Sequence, residues 1–128
     1  MNLEKAVKSD RTLKKHYDRI NKRFFLGELP SNICVRWLNE DDDENNLEDK
    51  LFGYTDKASD GRHKYQIVLS RTLNGPASSR MTTLIHEMIH VSTGMRDDHG
   101  EAFERVRQIL SDRGIYRKGA VVKGLTIF

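Results

Sequence analysis

Across residues 3–25 the apolar and aromatic side chains fall at Leu13, Tyr17, Ile20, Phe24 and Phe25, with Lys14, Lys15, Arg19, Lys22 and Arg23 filling the positions between. A spacing of three and four residues puts one stripe on one face, so the pattern predicts an amphipathic helix. Gly27 and Pro30 end it. The period then changes. In ICVRWL, residues 33–38, Ile33, Val35 and Trp37 alternate with Cys34, Arg36 and Leu38, the two-residue repeat of a strand. LFGYTDKA (51–58) and KYQIVLS (64–70) predict two more strands, joined through a turn built on Asp60-Gly61. His63 beside that turn and His16 on the first helix read as ordinary surface histidines.

After Asn74-Gly75-Pro76 the helical period returns over Arg80 to Thr93. Leu84, Met88, Val91 and Met95 form an apolar stripe flanked by Ile85 and Ile89, and Gly94 supplies a C-terminal stop. Asp98, with Glu101 three residues on, has the form of a capping box for a last helix over 99–113, with Phe103, Val106 and Leu110 facing inward. The tail, GIYRKGAVVKGLTIF, has one apolar-rich stretch able to add a strand. These elements predict one α+β domain over residues 1–128: an N-terminal helix, a small sheet of three or four strands, a second helix and a C-terminal helix.

Composition changes this picture little. With 37% apolar and 32% charged residues the chain has an ordinary soluble composition, and no apolar run approaches the roughly 18 residues that span a bilayer. Charges every few residues in MNLEKAVKSDRTLKKHYDRI leave no signal-peptide core. Cys34 is the single cysteine, which excludes an internal disulfide and any CxxC pair; it reads as a buried strand residue. A reducing cytoplasm is the expected compartment, or a host cytoplasm if the source is viral, and a monomer the expected state.

Charge matters more through its distribution. Residues 1–30 carry eight basic and four acidic side chains, residues 31–60 three and nine, and residues 61–128 eleven and six. A polyanion such as DNA therefore suits the two ends of the chain and not its middle. The acidic stretch NEDDDENNLEDK (39–50) lacks the glycine and terminal glutamate of an EF-hand and reads as a solvated loop.

The candidate chemistry lies in LIHEMIHVSTGMRDDHGEAF, residues 84–103. His86 and His90 are four apart on a predicted helix, so their imidazoles project from one face and can share a metal ion at about 2.0–2.1 Å. Glu87 stands beside them, placed to take a proton from an attacking water. HEMIH is thus an HExxH match. Chance alone produces one in roughly a hundred chains of this composition, but here the match falls on a helix with an apolar stripe. A catalytic zinc wants three protein ligands and an open position. Metzincins place a glycine and the third histidine where this chain has Thr93 and Arg96, which excludes that family. Glu101 or Glu104 could serve as a thermolysin-type ligand, but Glu101 is expected in the cap. His99, brought back by the break at Gly94, is the preferred third ligand.

HEMIH followed by HGEAF (99–103) resembles the SprT-like metalloproteases, which include Spartan. YDRINKRFFLGELP (17–30), LFGYTDK, IVLSRTL and TTLIHEMIH are similar to the family's first helix and exit, its strands and its approach to the site, so the resemblance covers about residues 10–110. It implies a minimal zincin-like domain and a zinc-dependent endopeptidase. One catalytic zinc would be held by His86, His90 and His99, with Glu87 as the base and Gly100 and Phe103 structural. Two features depart from the family: a short spacer between His90 and His99, and no counterpart of the C-terminal zinc ribbon found in many members. The implied substrates are DNA-associated or crosslinked proteins, with protein or peptide backbone pairing with an edge of the sheet. A group stabilising the oxyanion is also required, with Tyr54, Tyr65, Arg96 and Tyr116 as candidates. The competing expectation is a zinc-containing module that binds DNA or a host protein with little or no peptidase activity. The intact Glu87 argues against it, since a structural metal site has no use for that carboxylate.

Overall fold

The computed structural model describes residues 9–38, 53–70, 77–95 and 99–116. The acidic loop, the Asn74-Gly75-Pro76 turn, Arg96, Asp98 and the tail strand lie outside the described residues. Within them the chain forms α1 (Arg11–Phe24), β1 (Ile33–Trp37), β2 (Gly53–Lys57), β3 (Tyr65–Leu69), α2 (Ala77–Ser92) and α3 (Glu101–Asp112). This is a small α+β arrangement of three helices on a three-stranded sheet. None of the helices is long and apolar enough to cross a membrane.

Helix α1 starts where Asp10 accepts a hydrogen bond from the Leu13 amide at 3.0 Å, which satisfies one of the donors a helix N-terminus leaves unpaired. The same residue clamps the helix to the sheet. Its amide donates to the Val35 carbonyl at 2.7 Å, and the neighbouring Ser9 hydroxyl accepts from the Val35 amide at 3.0 Å. The outer edge of β1 is therefore engaged at Val35. Leu13, Tyr17, Ile20 and Phe24 are all buried, as their spacing predicts.

The exit of α1 depends on one amide side chain. Asn21 donates to the Leu29 carbonyl and accepts from the Leu29 amide, both at 3.0 Å, imitating a strand pair between a helix and the loop that leaves it. Its own carbonyl accepts from Gly27 at 2.8 Å. Leu26 and Gly27 both take positive φ, 57° and 75°, so the chain reverses sharply and Leu26 is left 61% exposed. The Tyr17 hydroxyl then ties down the Pro30 carbonyl at 2.6 Å.

The sheet order is β1-β3-β2, with β1 parallel and β2 antiparallel to β3. The Asp60-Gly61 turn joins β2 to β3 as expected. Asp60 accepts from the Arg62 and His63 amides at 3.0 and 2.9 Å and meets the His63 ring at 2.6 Å. The His63 amide, then its ring, hold the Asp60 carboxyl well below the usual carboxylate range. His63 is thus a half-buried part of the turn and not a freely exposed one. Cys34 is buried in β1, and burial pushes its thiol upward. One face of the sheet carries Ile33, Val35, Ile67 and Leu69 into the main core beside Met81, Leu84, Ile85, Met88 and Ile89 of α2 and Phe103 and Leu110 of α3.

Replacing Asn21 by alanine leaves the Leu29 amide and carbonyl without that partner in a buried place. Urea unfolding of Asn21→Ala is expected to show a loss of about 2–4 kcal/mol at unchanged m-value.

Candidate metal centre

Helix α2 is buried on most sides, and its rotation decides what each polar residue meets. Successive residues turn by about 100°, so His86 and His90 share a face and Glu87 flanks it, turned about 100° from His86. The hydrophobic residues Leu84, Ile85, Met88 and Ile89 fill the sides turned to the core. His90 is buried, His86 half-buried.

The helix ends as the glycine predicts. The Gly94 amide bonds to the Val91 carbonyl at 3.1 Å and the Met95 amide to the His90 carbonyl at 3.0 Å, while the Thr93 hydroxyl donates to the same His90 carbonyl at 3.1 Å. Gly94 and Met95 both adopt positive φ, 66° and 64°. The apolar stripe therefore stops at Val91: the left-handed turn carries Met95 out to 37% exposure, contrary to its expected place in the core. Beyond that turn, His99 lies against His86 and His90 of α2.

The three expected ligands converge. His86 Nε2 and His99 Nε2 lie 2.9 Å apart, His90 Nε2 and His99 Nε2 3.3 Å, and the candidate ligand atoms of all three lie within 4.8 Å of one another. Two nitrogens bound tetrahedrally at 2.0–2.1 Å stand roughly 3.3 Å apart, so the donor set fits a small divalent cation. Phe103, 4% exposed, lies against all three imidazoles with ring centroids 4.9, 4.9 and 5.1 Å from those of His86, His90 and His99. Core packing is thus only part of its role, since it also forms the floor on which the three rings stand.

The acidic alternatives are elsewhere. Glu101 is the first residue of α3, whose N-cap is Gly100 with no side-chain capping bond. The expected capping box is therefore not formed by Glu101, and the helix begins two residues later than the 99–113 reading. Glu101 pairs with Arg105 at 3.1 Å in open solvent. Glu104 accepts from Arg107 at 2.8 Å, and that bond holds its carboxyl below the usual range. His99 stands as the third candidate because it lies against His86 and His90, and not because a cap occupies Glu101.

No family model, curated protein or solved structure matches this chain.

Glu87 is 1% exposed and faces β2, where the Thr55 hydroxyl donates to its Oε1 at 2.8 Å. Sequence reading missed Thr55. The available signal was a polar residue at an inward position of a strand, since Thr55 pairs with Ile67 on the core side of the sheet. The four candidates for oxyanion stabilisation separate clearly. Tyr54 neighbours Thr55 in β2 and so points to the opposite sheet face. Tyr65 lines a different cavity, with Phe25, Leu29 and Val91. Arg96 lies outside the described residues. Tyr116 lines a cavity of about 290 Å³ together with His86, Thr82, Ile89, Phe103 and Arg107, and burial raises its phenol above the ordinary value, so it stays a neutral donor at pH 7.

If the three imidazoles act together, His99→Ala is expected to weaken zinc binding by at least roughly 100-fold, while Glu101→Ala and Glu104→Ala leave it unchanged. Competition against a chromogenic chelator measures this.

Proposed function

We propose that this protein is a zinc-dependent endopeptidase of the SprT-like, zincin-like kind, acting on DNA-associated or crosslinked proteins. The observation that carries the reading is the convergence of His86, His90 and His99 next to a buried Glu87 that belongs to the same helical turn as two of them. A structural metal site gains nothing from a carboxylate kept out of water at that position, whereas a hydrolytic site needs a base there.

In this reading His86, His90 and His99 would hold zinc. Zinc, when bound, supplies Lewis acidity to the scissile carbonyl and acidity to the attacking water. Glu87 accepts the water proton and delivers it to the departing amine. Tyr116, in the cavity beside His86, donates a hydrogen bond to the developing oxyanion. The same cavity gives room for a substrate side chain next to the scissile bond.

The decisive experiment loads wild type and Glu87→Gln with zinc and follows cleavage of casein and histones, with and without single-stranded DNA. Equal zinc content is expected, with cleavage lost by at least roughly 1,000-fold in Glu87→Gln. Zinc binding with no Glu87-dependent cleavage of any substrate overturns the peptidase reading. Stimulation by DNA supports the substrate class, and its absence with retained cleavage restricts the reading to a general peptidase. Tyr116→Phe, which removes only the hydroxyl, is expected to lower kcat roughly 100-fold with zinc content unchanged.

A further inference from the structure

A glutamate on a helix has three rotatable side-chain bonds, and a general base must hold one oxygen in one place. A contact of this kind reaches Glu87 from the sheet. Thr55 sits at the centre of β2, opposite Ile67, on the face that carries the apolar core. It is 7% exposed. A hydroxyl in such a place is costly unless it is hydrogen-bonded, and its partner is the carboxylate of a residue 32 positions away in sequence.

The geometry is selective. Thr55 Oγ1 lies 2.8 Å from Glu87 Oε1 and 3.3 Å from the Glu87 carbonyl oxygen. A hydroxyl has one proton to give, and the closer, charged acceptor takes it. The bond anchors the Glu87 carboxylate through Oε1. The approach of β2 to α2 that permits this is set two residues earlier on the same face. A Cβ on Gly53 would stand 2.9 Å from the Val68 carbonyl oxygen, 3.0 Å from Leu69 Cδ2 and 3.3 Å from Thr83 Cγ2 of α2. A side chain at this position meets β3 first and crowds Thr83 of α2 as well.

We infer that Thr55 is a positioning residue of the site, fixing the Glu87 carboxylate through Oε1 for the proton transfer. The inference rests on the peptidase reading above.

Thr55→Val keeps the branched shape and removes the hydroxyl; Thr55→Ser keeps the hydroxyl. For Thr55→Val, kcat is expected to fall roughly 10–100-fold while KM, zinc content and fold, followed by circular dichroism, stay as in wild type. Thr55→Ser should restore kcat. If Thr55→Val does not fold, Thr55→Ala against Thr55→Ser makes the same comparison. A second readout needs no turnover. Acetohydroxamate binding to the zinc-loaded protein, measured by calorimetry, draws on a neighbouring base to accept the hydroxamate proton. It should weaken about tenfold in both Thr55→Val and Glu87→Gln, but not in Thr55→Ser.

Wild-type kcat and hydroxamate affinity in Thr55→Val, beside a Glu87→Gln variant that has lost both, overturn the positioning role and leave the peptidase reading standing. A loss that Thr55→Ser does not reverse also overturns it, since packing and not the hydroxyl is then at work. A zinc-loaded wild type that cleaves nothing and binds hydroxamate no better than Glu87→Gln overturns the peptidase reading and the positioning role together.

Discussion

The seating of α2 on β2 and β3 is the constraint from which the rest of the site follows. The helix must bury Leu84, Ile85, Met88 and Ile89, and that requirement fixes its rotation about its own axis. Once rotation is fixed, no freedom remains for the polar residues. Glu87 is turned to the sheet, and His86 and His90 are turned to the turn and α3. Gly53 makes the seating possible, because only hydrogen fits between the Val68 carbonyl, Leu69 and Thr83. The cost of burying a carboxylate is then offset by placing a hydroxyl opposite it.

A second constraint closes the site from the other side. The left-handed pair Gly94-Met95 turns the chain sharply at the end of α2, and Phe103 packs against His99 and both helical histidines. A metal site needs ligands held within a few tenths of an ångström of their positions. Here two are held by a rigid helix, and the third, His99, stands against the Phe103 ring. The exposure of Met95 is the consequence of that turn, since a positive φ at a bulky residue turns its side chain out of the stripe.

Much of the fold was legible because it follows from periodicity. The three-to-four spacing of Leu13, Tyr17, Ile20 and Phe24 and the alternation in ICVRW each report one buried face, and α1 and β1 appear where they predict. The Asp60-Gly61 turn and the stop at Gly94 were legible for a different reason, since glycine supplies positive φ without strain. The capping box was misread. Asp98 and Glu101 have its spacing, but a helix beginning at Glu101 puts that glutamate in the first position, too early to reach back as a cap.

By itself the sequence determined the elements, the pairing of His86 with His90 on one helical face, and the position of a third histidine beyond a break. Each of these depends on residues close together along the chain. Only the tertiary structure decided that His99 reaches the pair, that Phe103 supports all three rings, that Tyr116 shares a cavity with His86 and Phe103 that Tyr54 and Tyr65 do not line, and that Thr55 meets Glu87. Those contacts join residues up to 32 positions apart, and no local spacing encodes them. They exist because burying the apolar face of α2 brings a strand, a turn and a second helix to the same few residues.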